Sequence, residues 1–287
     1  MNPALWGLVS ALSWGSADFL ARLAGRRVGA VATTLGMLGS STLLLTLWIW
    51  YSGTPLVWDL EAGIYVLIAG SGVMAATLMF YAALTRGPVS VASPLIASYP
   101  AFVIVGAAFL GVLPTPIQWL AIVVTMVGVW VICRAGAADT RGGTFITMTV
   151  LLGLLSAMLF GVTVLAAREA VVVLGQTQTV WLARAVAVVI LVPYVVLTRS
   201  SARIPFAWWP VIAVMGMLDV CAYLALLFGS VGRGAPLAAV TSAAFTVVTL
   251  VLAWGFLRER IGLQQWLGVG LVVTGAAMLA YFGVAPD

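Results

Sequence analysis

The stretch Gly7–Arg22, GLVSALSWGSADFLAR, returns 146 positions later as Gly153–Arg168, GLLSAMLFGVTVLAAR. Gly7/Gly153, Leu8/Leu154, Ser10/Ser156, Ala11/Ala157, Gly15/Gly161, Ala21/Ala167 and Arg22/Arg168 are identical at that one offset. Most of the other positions exchange one apolar residue for another. Repetition at a fixed offset means that the chain contains two copies of one structural unit. Gly7, Ala11, Gly15 and Gly153, Ala157, Gly161 recur at i, i+4 and i+8. On a helix that spacing makes a shallow ridge which a second helix can approach closely. These glycines read as packing faces and not as chemistry.

The copies are built from ten apolar stretches of about 20 residues, each enough to cross a hydrocarbon core of about 30 Å. They fall at 4–24, 29–51, 63–84, 89–112, 117–134, 146–167, 177–198, 208–229, 236–257 and 263–283. With 63% hydrophobic and 7% charged residues, no soluble core could absorb the apolar surface, so the class is a polytopic membrane protein. Lipid offers no partner to free backbone groups, so all ten spans are expected to be helices. The predicted fold class is all-α. Residues 1–134 form the first repeat, 135–145 a linker and 146–287 the second repeat. Five spans per copy is an odd number, so the second copy enters the membrane from the opposite side. That predicts two inverted five-helix repeats, an arrangement found in secondary transporters. The apolar run starting at Ala4 has no basic residue before it, and Arg22, Arg26 and Arg27 follow it; this reads as a retained first span and not a cleaved leader.

All thirteen basic residues are arginines, and no histidine is present. The net charge of +5 is no nucleic-acid signal, because the arginines sit singly or in pairs at span ends. Arg22, Arg26, Arg27, Arg86, Arg134, Arg141, Arg199, Arg203, Arg258 and Arg260 fall in odd-numbered loops; Arg168 and Arg233 fall in even ones. That bias puts the odd loops in the cytoplasm and both termini outside, in the cell inner membrane. Cys133 and Cys221 lie alone in apolar runs and fit neither a disulfide framework nor a metal site. Without histidine, zinc hydrolase and Ser-His arrangements are excluded, so a membrane-embedded enzyme is disfavoured. No cofactor is expected, and no Walker-type glycine-lysine loop is present for direct use of ATP.

Other residues carry a resemblance. They are Trp14-Gly15, the run Tyr81-Ala82-Ala83-Leu84-Thr85-Arg86-Gly87, Ala92-Ser93-Pro94-Leu95 and Tyr99-Pro100. To these add Leu257-Arg258-Glu259-Arg260, followed by Gln265-Trp266-Leu267-Gly268 and Gly275. In order, spacing and duplication they resemble the EamA-type branch of the drug/metabolite transporter superfamily, over almost the whole chain. Among its members, amino-acid exporters of the YddG type are the most similar in outline. The resemblance implies ten helices, two inverted repeats, a central cavity and the export of small metabolites, often amino acids. The chain departs from the pattern in two ways. Leu113-Pro114-Thr115-Pro116 stands in the first copy where the second has Leu257-Arg258-Glu259-Arg260, and the arginines put the termini outside where many relatives have them inside.

Charged groups inside the spans are the candidates for function, since each costs several kcal/mol at mid-bilayer unless paired or hydrated. Arg184 and Asp219 fall at similar depths. Either Arg184 holds a substrate carboxylate while Asp219 holds an amine or a proton, or the two form a structural pair. Asp18 stands one turn before Arg22 and is expected to pair with it. Pro94 and Pro100 bend span 4 around Ser98 and Tyr99, with Thr241 and Ser242 at the matching place in span 9. Tyr99, Ser98, Thr241 and Ser242 are expected on a cavity wall, although such hydroxyls also bond back to their own helix. Trp14, Tyr81, Trp181 and Tyr223 either clamp an apolar side chain or sit at headgroup depth. Glu259 is expected to make a helix-end contact. The expected partners are a small-molecule substrate and the lipid bilayer, with the protein acting as a monomer and binding no nucleic acid. Export of hydrophobic cationic drugs is the alternative transport reading.

Overall fold

The computed structural model describes residues 2–139, 143–229, 235–259 and 261–282. Arg141, Arg233 and Arg260, used above to orient the chain, lie outside them, as does part of the expected linker. The elements are α1 (Pro3–Val28), α2 (Ala30–Ser52), α3 (Leu60–Arg86), α4 (Val89–Ile96), α5 (Tyr99–Phe109) and α6 (Pro116–Asp139). They continue as α7 (Gly143–Leu174), α8 (Gln176–Leu197), α9 (Trp209–Gly229), α10 (Ala235–Ser242), α11 (Phe245–Leu257) and α12 (Leu263–Phe282). Among the described residues there is no strand. Among the described residues nine spans, counting α4–α5 and α10–α11 as one each, are long and apolar enough to cross a membrane. The remaining helix, α1, is 26 residues long and so reaches about 39 Å. The chain is a multi-pass helical membrane protein.

The largest departures from the expected span boundaries lie on either side of the linker. α6 runs to Asp139 and α7 begins at Gly143, so most of the expected linker is helix. α7 also continues to Leu174, about two turns beyond the expected end at 167. Apolar Val171, Val172 and Val173 carry the helix on, and Gly175, at φ 73°, stops it.

Span 4 breaks at Ala97–Ser98 and span 9 at Ala243–Ala244. At both breaks the ladder tightens to i→i−3 bonding. Ser98 N donates to Leu95 O and Ala101 N to Ser98 O; Ala244 N donates to Thr241 O and Val247 N to Ala244 O. Pro100, which has no N–H to offer, accounts for the first break. The second has no proline beside it and follows the same geometry.

The packing repeats when the two copies are exchanged. α1 packs on α9 and α7 on α3; α1 also packs on α10 and α11, and α7 on α4 and α5; α6 pairs with α12 and α2 with α8. Glycine contacts show the same exchange. A Cβ on Gly15 would lie 2.6 Å from Phe245 O, and one on Gly161 would lie 2.9 Å from Phe102 Cβ. A Cβ on Gly70 would meet Val186 and one on Gly216 would meet Ser40, each at 2.6 Å. Lipid supplies no hydrophobic drive between helices, so such close backbone approach is what holds the bundle together.

Candidate functional site

Between the two copies lies a cavity of about 570 Å³. It begins among Val171 at the end of α7, Gln176 at the start of α8 and Leu227 near the end of α9. It ends at Asp18, Phe80 and Ile96. At 1.5 Å per residue, Arg184 lies about 12 Å below Gln176 and Asp219 about 15 Å below Gly229. Both depths are measured from the same membrane face.

The polar centre is built around Asp219. Its Oδ2 accepts from Arg184 Nε at 2.9 Å, Arg184 Nη2 at 2.7 Å and Ser41 Oγ at 2.7 Å. Its Oδ1 accepts from Trp14 Nε1 at 3.3 Å. Four donors from α1, α2 and α8 thus converge on one carboxylate of α9. Arg184 also lies over the Tyr223 ring, with 5.7 Å from Cζ to the ring centroid. The Tyr223 hydroxyl donates to Gln176 O at 2.7 Å. Arg184 lines the cavity, and no acceptor bonds its Nη1 among the described residues. Aromatic edges complete the wall: Tyr99 stands against Phe160, T-shaped at 5.0 Å, and Trp14 stands against Phe245, T-shaped at 6.5 Å.

Of the residues named from sequence, Trp14, Tyr81, Tyr99, Arg184, Asp219, Tyr223 and Ser242 line this cavity. Three placements on the wall are corrected. Ser98 is fully buried and its hydroxyl bonds back to Leu95 O at 2.6 Å. Thr241 bonds back to Leu237 O at 2.9 Å and crowds Gly7 of α1. Trp181 turns away to donate to Thr46 Oγ1 at 2.8 Å. In the first two a carbonyl of their own helix takes the hydroxyl in place of a solvated hollow. Sequence reasoning missed Ser41 and Phe160. Phe160 carried a signal, since it stands 146 residues after Trp14.

The expected Asp18–Arg22 pair does not form. Arg22 is 4% exposed; its Nη1 donates to Leu84 O of α3, and its Nη2 lies 3.8 Å from Glu259 Oε1. Glu259 accepts from Val89 N at 3.1 Å and Ser90 N at 3.3 Å, at the first turn of α4. Pro88, the N-cap there, offers no side-chain bond, so a carboxylate from the other copy fills the free N–H groups and meets the positive end of the helix dipole. This cluster stands one turn along α1 beyond Asp18, outside the cavity lining. It ties α1, α3 and α4 to the α11–α12 connection. Among the described residues no group of His, Cys, Asp and Glu could hold a metal ion.

A multi-pass helical bundle that encloses a mainly apolar chamber, with the Arg184–Asp219 pair on its wall, between two similar halves has the architecture of a membrane transporter. The EamA-like transporter family matches residues 1–134 and again 147–281, and the chain belongs to that family. A curated relative from Sinorhizobium sp, the uncharacterized transporter in cobO 3'region, is 31% identical over 90 residues. That match spans 29% of this chain and 60% of the relative's length. A solved protein crystal structure superposes with a TM-score of 0.67 at 16% identity, covering 99% of this chain and 98% of its own. At that identity the likeness shows the fold.

Proposed function

We propose that the protein is a secondary carrier of the inner membrane which exports small metabolites, amino acids foremost, by alternating access around the central cavity. In this reading residues 1–134 and 146–287 are inverted repeats related by a pseudo-two-fold axis in the membrane plane. The exchange-invariant packing supports that relation, as do the matching breaks in spans 4 and 9. Discontinuous helices meeting at mid-depth between two repeats are a recurrent setting for substrate sites. With both termini outside, the cavity opens outward and the Arg22–Glu259 cluster seals the cytoplasmic end.

The observation that carries the substrate reading is Arg184. Asp219, Ser41 and Trp14 fix one edge of its guanidinium environment, while no acceptor bonds Nη1 among the described residues, beside a chamber of about 570 Å³. A guanidinium held by its other nitrogens is preorganised for a carboxylate. Phe160, Tyr99 and Phe245 then enclose the apolar part of the ligand. Asp219 serves to position Arg184, its charge paired with the guanidinium and its Oδ2 shared by three donors. The test is a thermal-shift screen of the purified protein against amino acids, nucleosides and cationic dyes, followed by flux in proteoliposomes. Amino acids should stabilise the wild type and not Arg184→Ala.

A second reading, export of hydrophobic cations, draws on one specific observation. Asp219 cancels the charge of Arg184, while Asp18 faces the same aromatic chamber without a partner. Stabilisation by cationic dyes alone would favour it.

A further inference from the structure

Asp18 is the one acidic group on the cavity surface that the polar centre does not use. It is 9% exposed and lines the floor. It makes neither ion pair nor hydrogen bond among the described residues. At 1.5 Å per residue it lies about 22 Å along α1 from Pro3, deeper than Trp14 by one turn. The basic side chain nearest in sequence, Arg22, is turned away to Leu84 O and Glu259.

The titratable and charged groups that face Asp18 can be named element by element. On α1 it is Arg22, already engaged; on α3, Tyr81; on α8, Arg184, spent on Asp219; on α9, Asp219 itself. α2, α4, α10 and α11 bring no charge to the cavity wall; they present Leu38, Ile96, Ala239 and Phe245, and Arg168 of α7 is the remaining charge on the lining. A carboxylate nine-tenths buried with no counter-charge is not stable as it stands, because an isolated charge out of water costs many kcal/mol. What it binds must neutralise it.

We propose that Asp18 is the cation site of this cavity, taking a proton or the ammonium group of an amine ligand at the floor. The proposal rests on the reading of the cavity as the substrate chamber and names its coupling group. It moves that role away from Asp219, whose charge is paired with Arg184 at 2.7 Å. A ligand with its carboxylate on Arg184 Nη1 points its other end toward Asp18, or displaces the proton held there. Either event ties occupancy of the chamber to charge at the floor, one turn from the Arg22 cluster.

The experiment needs no known substrate. Dicyclohexylcarbodiimide attacks protonated carboxyls in apolar surroundings, and the adduct is mapped by mass spectrometry on the full-length protein in liposomes. Asp18 should be modified and Asp219 should not. Modification should fall about tenfold per pH unit above its midpoint, as for any single titrating group. If methylammonium chloride at fixed pH also protects Asp18, the site takes an ammonium group; if only raised pH protects it, the site takes a proton. Asp18→Asn should lose the adduct without a fall in thermal midpoint, since no pair is broken, and Asp18→Glu should keep it. An unmodified Asp18 at every pH that leaves the protein folded overturns the proposal. So does a loss of stability in Asp18→Asn comparable to that of Arg184→Ala. These readouts do not depend on flux, so the site can fail while the carrier reading stands, or the reverse.

Discussion

Removing Glu259 should open the sealed end of the cavity. Its carboxylate bonds the Val89 and Ser90 N–H groups at 3.1 and 3.3 Å and lies 3.8 Å from Arg22 Nη2. Loss of a helix cap costs about 0.5–2 kcal/mol. A hydrogen bond to a charged group contributes about 1.5–3 kcal/mol. The 3.8 Å pair adds little by itself, but Arg22 is buried and would lose its only carboxylate. A total of about 2–4 kcal/mol is reasonable for Glu259→Ala, and about half of that for Glu259→Gln, which keeps one acceptor oxygen. Under the proposed alternating access this contact exists only while that end is shut. Its loss therefore raises the population of the opposite state by roughly 30- to 700-fold, at 1.4 kcal/mol per tenfold.

The assay places a cysteine between the seal and the floor. Ala92 is fully buried on α4, one turn in from the Glu259 contact, and cysteine is a small change there. In a background with Cys133 and Cys221 replaced by serine, Ala92→Cys should resist an impermeant maleimide added from the sealed side. Adding Glu259→Gln and then Glu259→Ala should raise the labelling rate in that order. Equal rates in all three proteins, with thermal midpoints intact, would show that the cluster is a static helix-end contact and would refute the gating argument.

Other consequences follow from the same geometry. Arg184→Ala leaves Asp219 buried without its counter-charge, so thermal unfolding should report a loss of about 3–5 kcal/mol. Pairing it with Asp219→Asn should restore stability and not flux; a double variant that still transports would remove Arg184 from the substrate site. A Cβ on Gly128 would sit 2.7 Å from Val272 N and 2.8 Å from Gly268 O. Gly128→Ala should therefore cost about 1–3 kcal/mol by overpacking α6 against α12. Gly270→Ala, with nothing within 4 Å, should leave the thermal midpoint unchanged. Trp14→Phe keeps a ring edge against Phe245 but removes the donor to Asp219 Oδ1, for a loss of about 1 kcal/mol in thermal unfolding.

The helices were legible because lipid leaves the chain so little choice. A run of about 20 apolar residues has one way to satisfy its backbone. The break in span 4 was legible from Pro94 and Pro100; its counterpart at Ala243–Ala244 was legible only through the repeat, having no proline beside it. Side-chain partners were less legible, and Asp18 shows why. Its i, i+4 spacing to Arg22 permits a pair worth a few tenths of a kcal/mol. Leu84 O and Glu259 compete for the same guanidinium from 62 and 237 residues away. No local rule weighs contacts that only the fold creates. Ser98 and Thr241 failed the other way, since a local bond to their own helix won over a solvated cavity.

The duplication also indicates where chemistry should be sought. At the offset of 146, Arg184 matches Leu38, Asp219 matches Val73 and Asp18 matches Val164. All six residues line the cavity. Trp14 matches Phe160, so the aromatic wall is shared by both copies, while Asp18, Arg184 and Asp219 each stand in one copy alone. A symmetric frame lets the halves rock about a fixed centre; a symmetric set of charges would let a polar ligand bind in two opposed orientations. Single-copy charges remove that ambiguity. Moving the pair across the axis, with Leu38→Arg and Val73→Asp added to Arg184→Leu and Asp219→Val, should restore folding stability to within about 1–2 kcal/mol of the wild type if the repeats are inverted and equivalent. The ligand would then bind turned end for end and out of reach of Asp18, so binding should survive and coupling should not. A moved pair that is strongly destabilising, while each half of the change is tolerated alone, would show that the copies are not interchangeable frames.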